Sequence, residues 1–293
     1  MKILMVSAEV VPFAKTGGLA DMVSALSIQL TKMGHDVRIV MPRYYRIDRK
    51  KLELLPGPMA IAAGQIETWS AVYKTTMPGC DSLPVYFIDH EECFGRDGVY
   101  GTKSETDFHD NPYRFAVLCH GAFQLCRKLG WYPDIVHAHD WSTCLAPVLV
   151  KNVCRYCGFE HTASVLTIHN QGYQGQYAKE QFPALGIDWG MYYGAGFEHH
   201  GGINFLQAGV SCADMITTVS PTYAHEIQTM EGGYLYSTPH PFGDAVSGYC
   251  QNTGKRRGLQ LVWHRCTSGH LSLKRAAGTY VGRAFALCRK ALR

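Results

Sequence analysis

The strongest constraint on the fold lies in the first 41 residues. Lys2–Ala8 (KILMVSA) is a short apolar run, the pattern of a buried parallel strand. Glu9–Gly18 is rich in turn residues and closes on the pair Gly17-Gly18. From Leu19 the apolar positions Leu19, Met22, Val23, Leu26 and Leu30 recur at three and four, which predicts a helix. Gly34 stops that helix, and His35–Met41 (HDVRIVM) reads as a second strand. Strand, glycine turn, helix, glycine, strand is a βαβ unit. Such a crossover is right-handed, so both strands lie parallel in one sheet with the helix against it.

The same alternation continues. Residues 43–83 are less regular. Strands are expected at Thr68–Met77, Pro84–Asp89, Asp134–Ala138, Ala163–Ile168 and Met215–Val219. Helices are expected at Pro112–Leu129, Trp141–Val153 (despite Pro147), Asn204–Ala213 and Pro221–Gln228, the last opened by Ser220 as N-cap. The predicted class is α/β: a doubly wound, Rossmann-like, mostly parallel sheet with helices on both faces. Ligands in such folds sit at the carboxyl ends of the strands. Four polar clusters fall there: Lys15–Asp21, His137–Asp140, His169–Gly175 and Ser220–Tyr223.

The Lys15-Thr16-Gly17-Gly18-Leu19 turn has chemistry for an anion. Two glycines let a backbone approach a ligand closely, the helix start offers unpaired N–H groups, and Lys15 adds a point charge. It matches neither G-x-G-x-x-G nor the P-loop spacing, which disfavours a dinucleotide cofactor. A tight strand-to-helix turn with no ligand is an equally weighted local reading. His137 and His139, separated by Ala138, are expected to point to opposite sides and to be structural. Trp141 is expected to pack; for Tyr173 and Gln174, simple packing of the loop is the alternative to a role in the site. Cys154-x-x-Cys157 is a chance pair rather than a zinc or redox site. The eleven cysteines, irregularly spaced, are read as free thiols.

Charge divides the chain. The 293 residues carry a net +4. Residues 1–244 hold 18 Lys and Arg against 24 Asp and Glu, whereas 245–293 hold 10 basic residues and no acid. The overall balance therefore describes neither part, and it does not make the chain a nucleic-acid binder; Trp263, Tyr280 and Phe285 are scattered rather than clustered for base stacking. No run of 18 apolar residues suggests a membrane span, and the N-terminus lacks a signal-peptide pattern.

Four stretches, in order, carry a resemblance: Met1–Arg43 (MKILMVSAEVVPFAKTGGLADMV…GHDVRIVMPR), His137–Lys151 (HAHDWSTCLAPVLVK), Thr167–Gly175 (TIHNQGYQG) and Asn204–Thr229 (NFLQAGVSCADMITTVSPTYAHEIQT). The chain resembles the N-terminal catalytic domain of bacterial glycogen synthase and plant starch synthase, glycosyltransferase family 5. These are retaining glucosyltransferases of the two-domain GT-B fold. The resemblance implies transfer of glucose from ADP-glucose (or UDP-glucose) to the non-reducing end of an α-1,4-glucan. It implies no metal, no cofactor and no covalent nucleophile, and a setting in bacterial cytoplasm or plastid stroma. No membrane or nucleic-acid partner is expected.

Site roles follow from the same resemblance. Asp140 and His169 are implied as the catalytic residues at the reacting glucose. Lys15, Gly17, Gly18, Asp21, Tyr100, Asn170 and Asn204 are implied as substrate-binding residues, with Asn204 facing the cleft. The resemblance covers residues 1–234. Residues 235–293 form an unmatched basic tail, expected to be poorly structured; an out-of-frame end is the favoured reading, with a true basic extension or a short packed cap on the domain as the alternatives. The family's second domain is not matched, so the chain alone is expected to be inactive or weak. A non-catalytic glucan-binding or regulatory half-protein is the alternative.

Overall fold

The computed structural model describes residues 1–154, 157–229 and 262–263. The expected tail 235–293 therefore lies outside the described residues, apart from one short strand. In chain order the first elements are β1 (Lys2–Val6), α1 (Gly18–Lys32), β2 (Asp36–Pro42), β3 (Glu53–Leu54), β4 (Met59–Ala63), β5 (Ile66–Met77) and β6 (Cys80–Asp89). Then come α2 (Glu91–Phe94), α3 (Asn111–Lys128), β7 (Ile135–His139), α4 (Leu145–Val148), β8 (Ala163–Ile168), β9 (Gln176–Ala178) and α5 (Gly190–Gly194). The rest are β10 (Glu198–His199), β11 (Gly202–Asn204), α6 (Phe205–Cys212), β12 (Met215–Thr218), α7 (Pro221–Glu226) and β13 (Val262–Trp263).

Strands β13-β12-β8-β7-β1-β2-β6 run parallel in that order. The antiparallel β5 extends the β6 edge and carries β3 and β4. Every residue of β7 and β8 is buried, so both faces of the sheet are covered there. Helix α1 buries the predicted stripe Leu19, Met22, Val23, Leu26 and Leu30. Gly34, at φ +86°, takes the left-handed turn that ends it.

Three expectations change. The irregular 43–83 stretch holds the antiparallel wing. The helix expected over Trp141–Val153 is a broken series: a 3₁₀ turn at Trp141–Thr143, then α4, then a π turn at Leu149–Val153. Pro147 cannot donate a backbone bond to Thr143, which explains the irregular winding. A separate three-stranded sheet, β10-β11-β9, lies between β8 and α6 in the chain and has no counterpart in the sequence reading. All eight cysteines among the described residues are free thiols.

Candidate functional site

Strand order fixes where a ligand fits. From β1 the chain builds outward to β2 and β6 on one side, and to β7, β8 and β12 on the other. Loops leaving β1 and β7 therefore turn away from each other and open a crevice at their carboxyl ends. All four polar clusters meet there. The Asp140 carboxylate accepts from the backbone N–H of His169 (2.7 Å) and Asn170 (3.4 Å). The Tyr223 hydroxyl accepts from the N–H of Gln171 (2.9 Å). Rings of Tyr100 and Trp141 lie 5.8 Å apart, and Tyr100 reaches back to the loop after β1.

The turn from Lys15 to Gly18 is exposed. Lys15 pairs with Asp21 at 2.8 Å, half in solvent. Gly17 is the N-cap residue of α1, and no side chain caps that helix. Neither Gly17 nor Gly18 has a positive φ. A Cβ added to either would meet no protein atom within 4 Å. The chain's own packing therefore does not require glycine here; a close-approaching ligand would.

Glu9 was missed by sequence reasoning. It is 2% exposed and lies under the turn. Its carboxylate accepts from the Thr16 N–H, the Thr16 hydroxyl (2.7 Å), the Gly17 N–H (3.4 Å) and the Tyr100 hydroxyl (2.9 Å). These partners are seven, eight and 91 positions away, so no local pattern marks them. Burial, reinforced by Glu9, pushes the Tyr100 phenol well above its ordinary pKa and keeps it a donor. Tyr100 is thus joined to the turn through Glu9.

Asp140 follows β7 with φ +58° and ψ −178°, a backbone region that glycine dominates. Such strain costs about 1–3 kcal/mol and persists where the surroundings impose it. Its N–H donates to the Thr167 carbonyl at 3.0 Å. Desolvation raises the carboxyl to a pKa of about 7, against the two backbone donors that favour the ion; Glu9 adds to the rise. Oδ1 anchors the next loop. Near neutral pH this carboxyl can hold or release a proton, and it can accept from a sugar hydroxyl.

His137 and His139 do not point to opposite sides. Residues two apart on a strand share a face, and the two imidazoles stack with centroids 4.3 Å apart, both buried. His137 bonds Thr167 Oγ1 at 2.6 Å, which bonds Thr217 Oγ1 at 2.7 Å. His139 Nδ1 meets His169 Nε2 at 3.3 Å. His169 is half-buried at the end of this row.

The remaining residues divide. Asn170 is exposed and its Oδ1 accepts from Gly172 N–H at 2.9 Å. Asn204 is fully buried rather than facing the cleft. It caps α6 by accepting from Gln207 N–H (2.9 Å) and donates to Gln174 Oε1 (2.6 Å). Trp141 packs, 6% exposed, and Gly175 at φ +64° has no room for a Cβ beside its ring. Gln174 is buried, whereas Tyr173 is 68% exposed.

The profile of the starch synthase catalytic domain matches residues 2–238. The chain is 56% identical to a glycogen synthase of Treponema denticola over 234 residues, 80% of this chain and 48% of that one. It is 39% identical to a glycogen synthase of an Anaeromyxobacter species over 297 residues, 100% of this chain and 59% of that one. Among solved structures, the catalytic domain of starch synthase IV from Arabidopsis thaliana, bound to ADP and acarbose, superposes with a TM-score of 0.71. The two share 27% identity, over 85% of this chain and 49% of that one. The chain thus spans about half the length of these first relatives. With its crevice at the β1/β7 switch point and its family profile running through all four polar clusters, the chain belongs to the starch synthase catalytic domain family.

Proposed function

We propose that this chain carries the N-terminal half of a glucosyltransferase site that moves glucose from ADP-glucose to the non-reducing end of an α-1,4-glucan, with retention. The observation that carries the reading is the exposed glycine pair opening an uncapped helix beside Lys15. A diphosphate at that position accepts helix N–H bonds, and Lys15 and the helix dipole offset the charge left on the departing ADP. Asp140 and His169 face the transferring glucose, the first as hydroxyl acceptor and the second as hydrogen-bonding partner. Asn170 adds a polar contact, and Asp21 holds Lys15. Together they orient the sugar while an oxocarbenium-like state forms. The ADP in the starch synthase IV structure supports adenine as the donor base. The bacterial relatives support a bacterial setting. No helix among the described residues is long and apolar enough to cross a membrane.

The domain boundary near residue 234 is our reading of where the family motifs end. The profile ends at residue 238, and the Anaeromyxobacter alignment runs the whole chain.

Backbone NMR of the full chain titrated with ADP tests the donor reading. Saturable shifts confined to 15–20, 140 and 169–170 are expected. A spectrum unmoved at millimolar ADP overturns it. Retention on glycogen without any nucleotide binding marks a glucan-binding protein instead.

A further inference from the structure

We propose that Glu9 is a positioning residue: its buried carboxylate sets the shape of the Lys15–Gly18 turn for a bound phosphate, with the Tyr100 hydroxyl as its second anchor. The proposal rests on the donor reading above. A carboxylate 2% exposed is costly unless donors surround it. Here the donors are two backbone amides and one hydroxyl of the turn, Thr16 and Gly17, and the phenol of Tyr100.

The loop is built to deliver this contact. After β1, Val10 and Ala14 pair as an antiparallel bridge, with N–H to carbonyl bonds of 3.0 Å both ways. That short hairpin folds Thr16 back over Glu9. Phe13 is held against Phe87, ring centroids 5.0 Å apart, and Ser24 Oγ bonds the Val11 carbonyl at 2.8 Å. Ser7 fixes the Glu9 backbone, donating to its carbonyl at 2.7 Å and accepting from its N–H at 3.2 Å. Glu9 thereby occupies the amides just ahead of α1. No side chain caps the helix itself, so its first-turn amides remain for an outside acceptor. Glutamate at this place therefore separates two sets of donors: those that shape the turn and those left for phosphate.

Amide exchange and ADP titration on the full chain, in wild type, Glu9→Gln and Tyr100→Phe, decide the matter. One carboxylate oxygen accepts from the Thr16 and Gly17 amides and the other from the Thr16 and Tyr100 hydroxyls; Gln has one acceptor oxygen and a donor in place of the other, so it cannot serve both the amide pair and the hydroxyl pair. Losing a charge-assisted bond predicts that Thr16 and Gly17 exchange ~tenfold faster in E9Q, with a smaller rise in Y100F. Exchange in β1 stays unchanged, and ADP binds about tenfold more weakly to E9Q. A purely structural acid would move β1 and the melting temperature instead. Equal rates at Thr16 and Gly17, or faster rates with unchanged ADP affinity, overturn the proposal. If E9Q does not fold, Y100F decides by the same two readouts. Millimolar ADP that leaves every wild-type amide unmoved overturns the donor reading, and the exchange rates then still decide whether Glu9 holds the turn.

Discussion

The two loops that flank the crevice are built in opposite ways. The turn after β1 is exposed, glycine-based and unstrained, with its charged pair Lys15–Asp21 in solvent. The loop after β7 is largely buried and strained at Asp140, and it is locked to the next loop by bonds to His169 and Asn170. The first surface can receive a large, flexible anion at little cost to the protein. The second holds a few groups in one geometry, as sugar recognition at a reacting carbon requires. Binding energy and stability should therefore separate between the loops, and substitutions can test that.

The largest effect is expected from alanine at both Gly17 and Gly18. Because an added Cβ meets no protein atom, the melting temperature should hold, while a misplaced phosphate costs about a hundredfold in ADP affinity. Unchanged affinity would remove the phosphate from this turn. Asp140→Asn comes next and reads out in pH. The carboxyl keeps its proton to about pH 7 in the folded chain but loses it near pH 4 when unfolded. Wild-type stability attributable to this group therefore falls as pH rises from 4 to 7. The Asn variant should gain about 1–2 kcal/mol over wild type at pH 8 and nothing at pH 3, less than full conversion because the site is partly open. Denaturant melts at the two pH values check this. Asn204→Ala should cost ~1 kcal/mol through loss of a helix cap while leaving ADP affinity within about twofold; a large loss of affinity would restore a cleft role. Smallest is Lys15→Ala, worth at most a few tenths of a kcal/mol in stability for an exposed pair, with several-fold weaker ADP binding that vanishes at high salt.

Much of the frame was legible in the sequence because it rests on local periodicity. The β1–α1–β2 unit, the strand at 163–168 and the Ser220 cap are each written within a few neighbours. The polar clusters at strand ends mark the crevice in the sequence itself. What escaped was nonlocal or too short. Glu9 gains its meaning from partners at Thr16, Gly17 and Tyr100. The strands β9, β10 and β11 have two or three residues each, below what alternation can register. Alternation along a strand puts adjacent residues on opposite faces, so His137 and His139, two apart, share one face and stack. Asn204 was placed by resemblance, and only burial revealed its bonds to Gln174 and Gln207.

The pairing of β7 with β8 carries one further consequence. His139 lies opposite Thr167, and Asp140 reaches His169 only because that register holds. A single inserted residue in β7 would turn the stacked imidazoles to the other side of the sheet and carry Asp140 past its anchor. The crevice is in that sense a vernier: hydrogen-bond pairing deep in the sheet sets, one residue at a time, what its rim can grip.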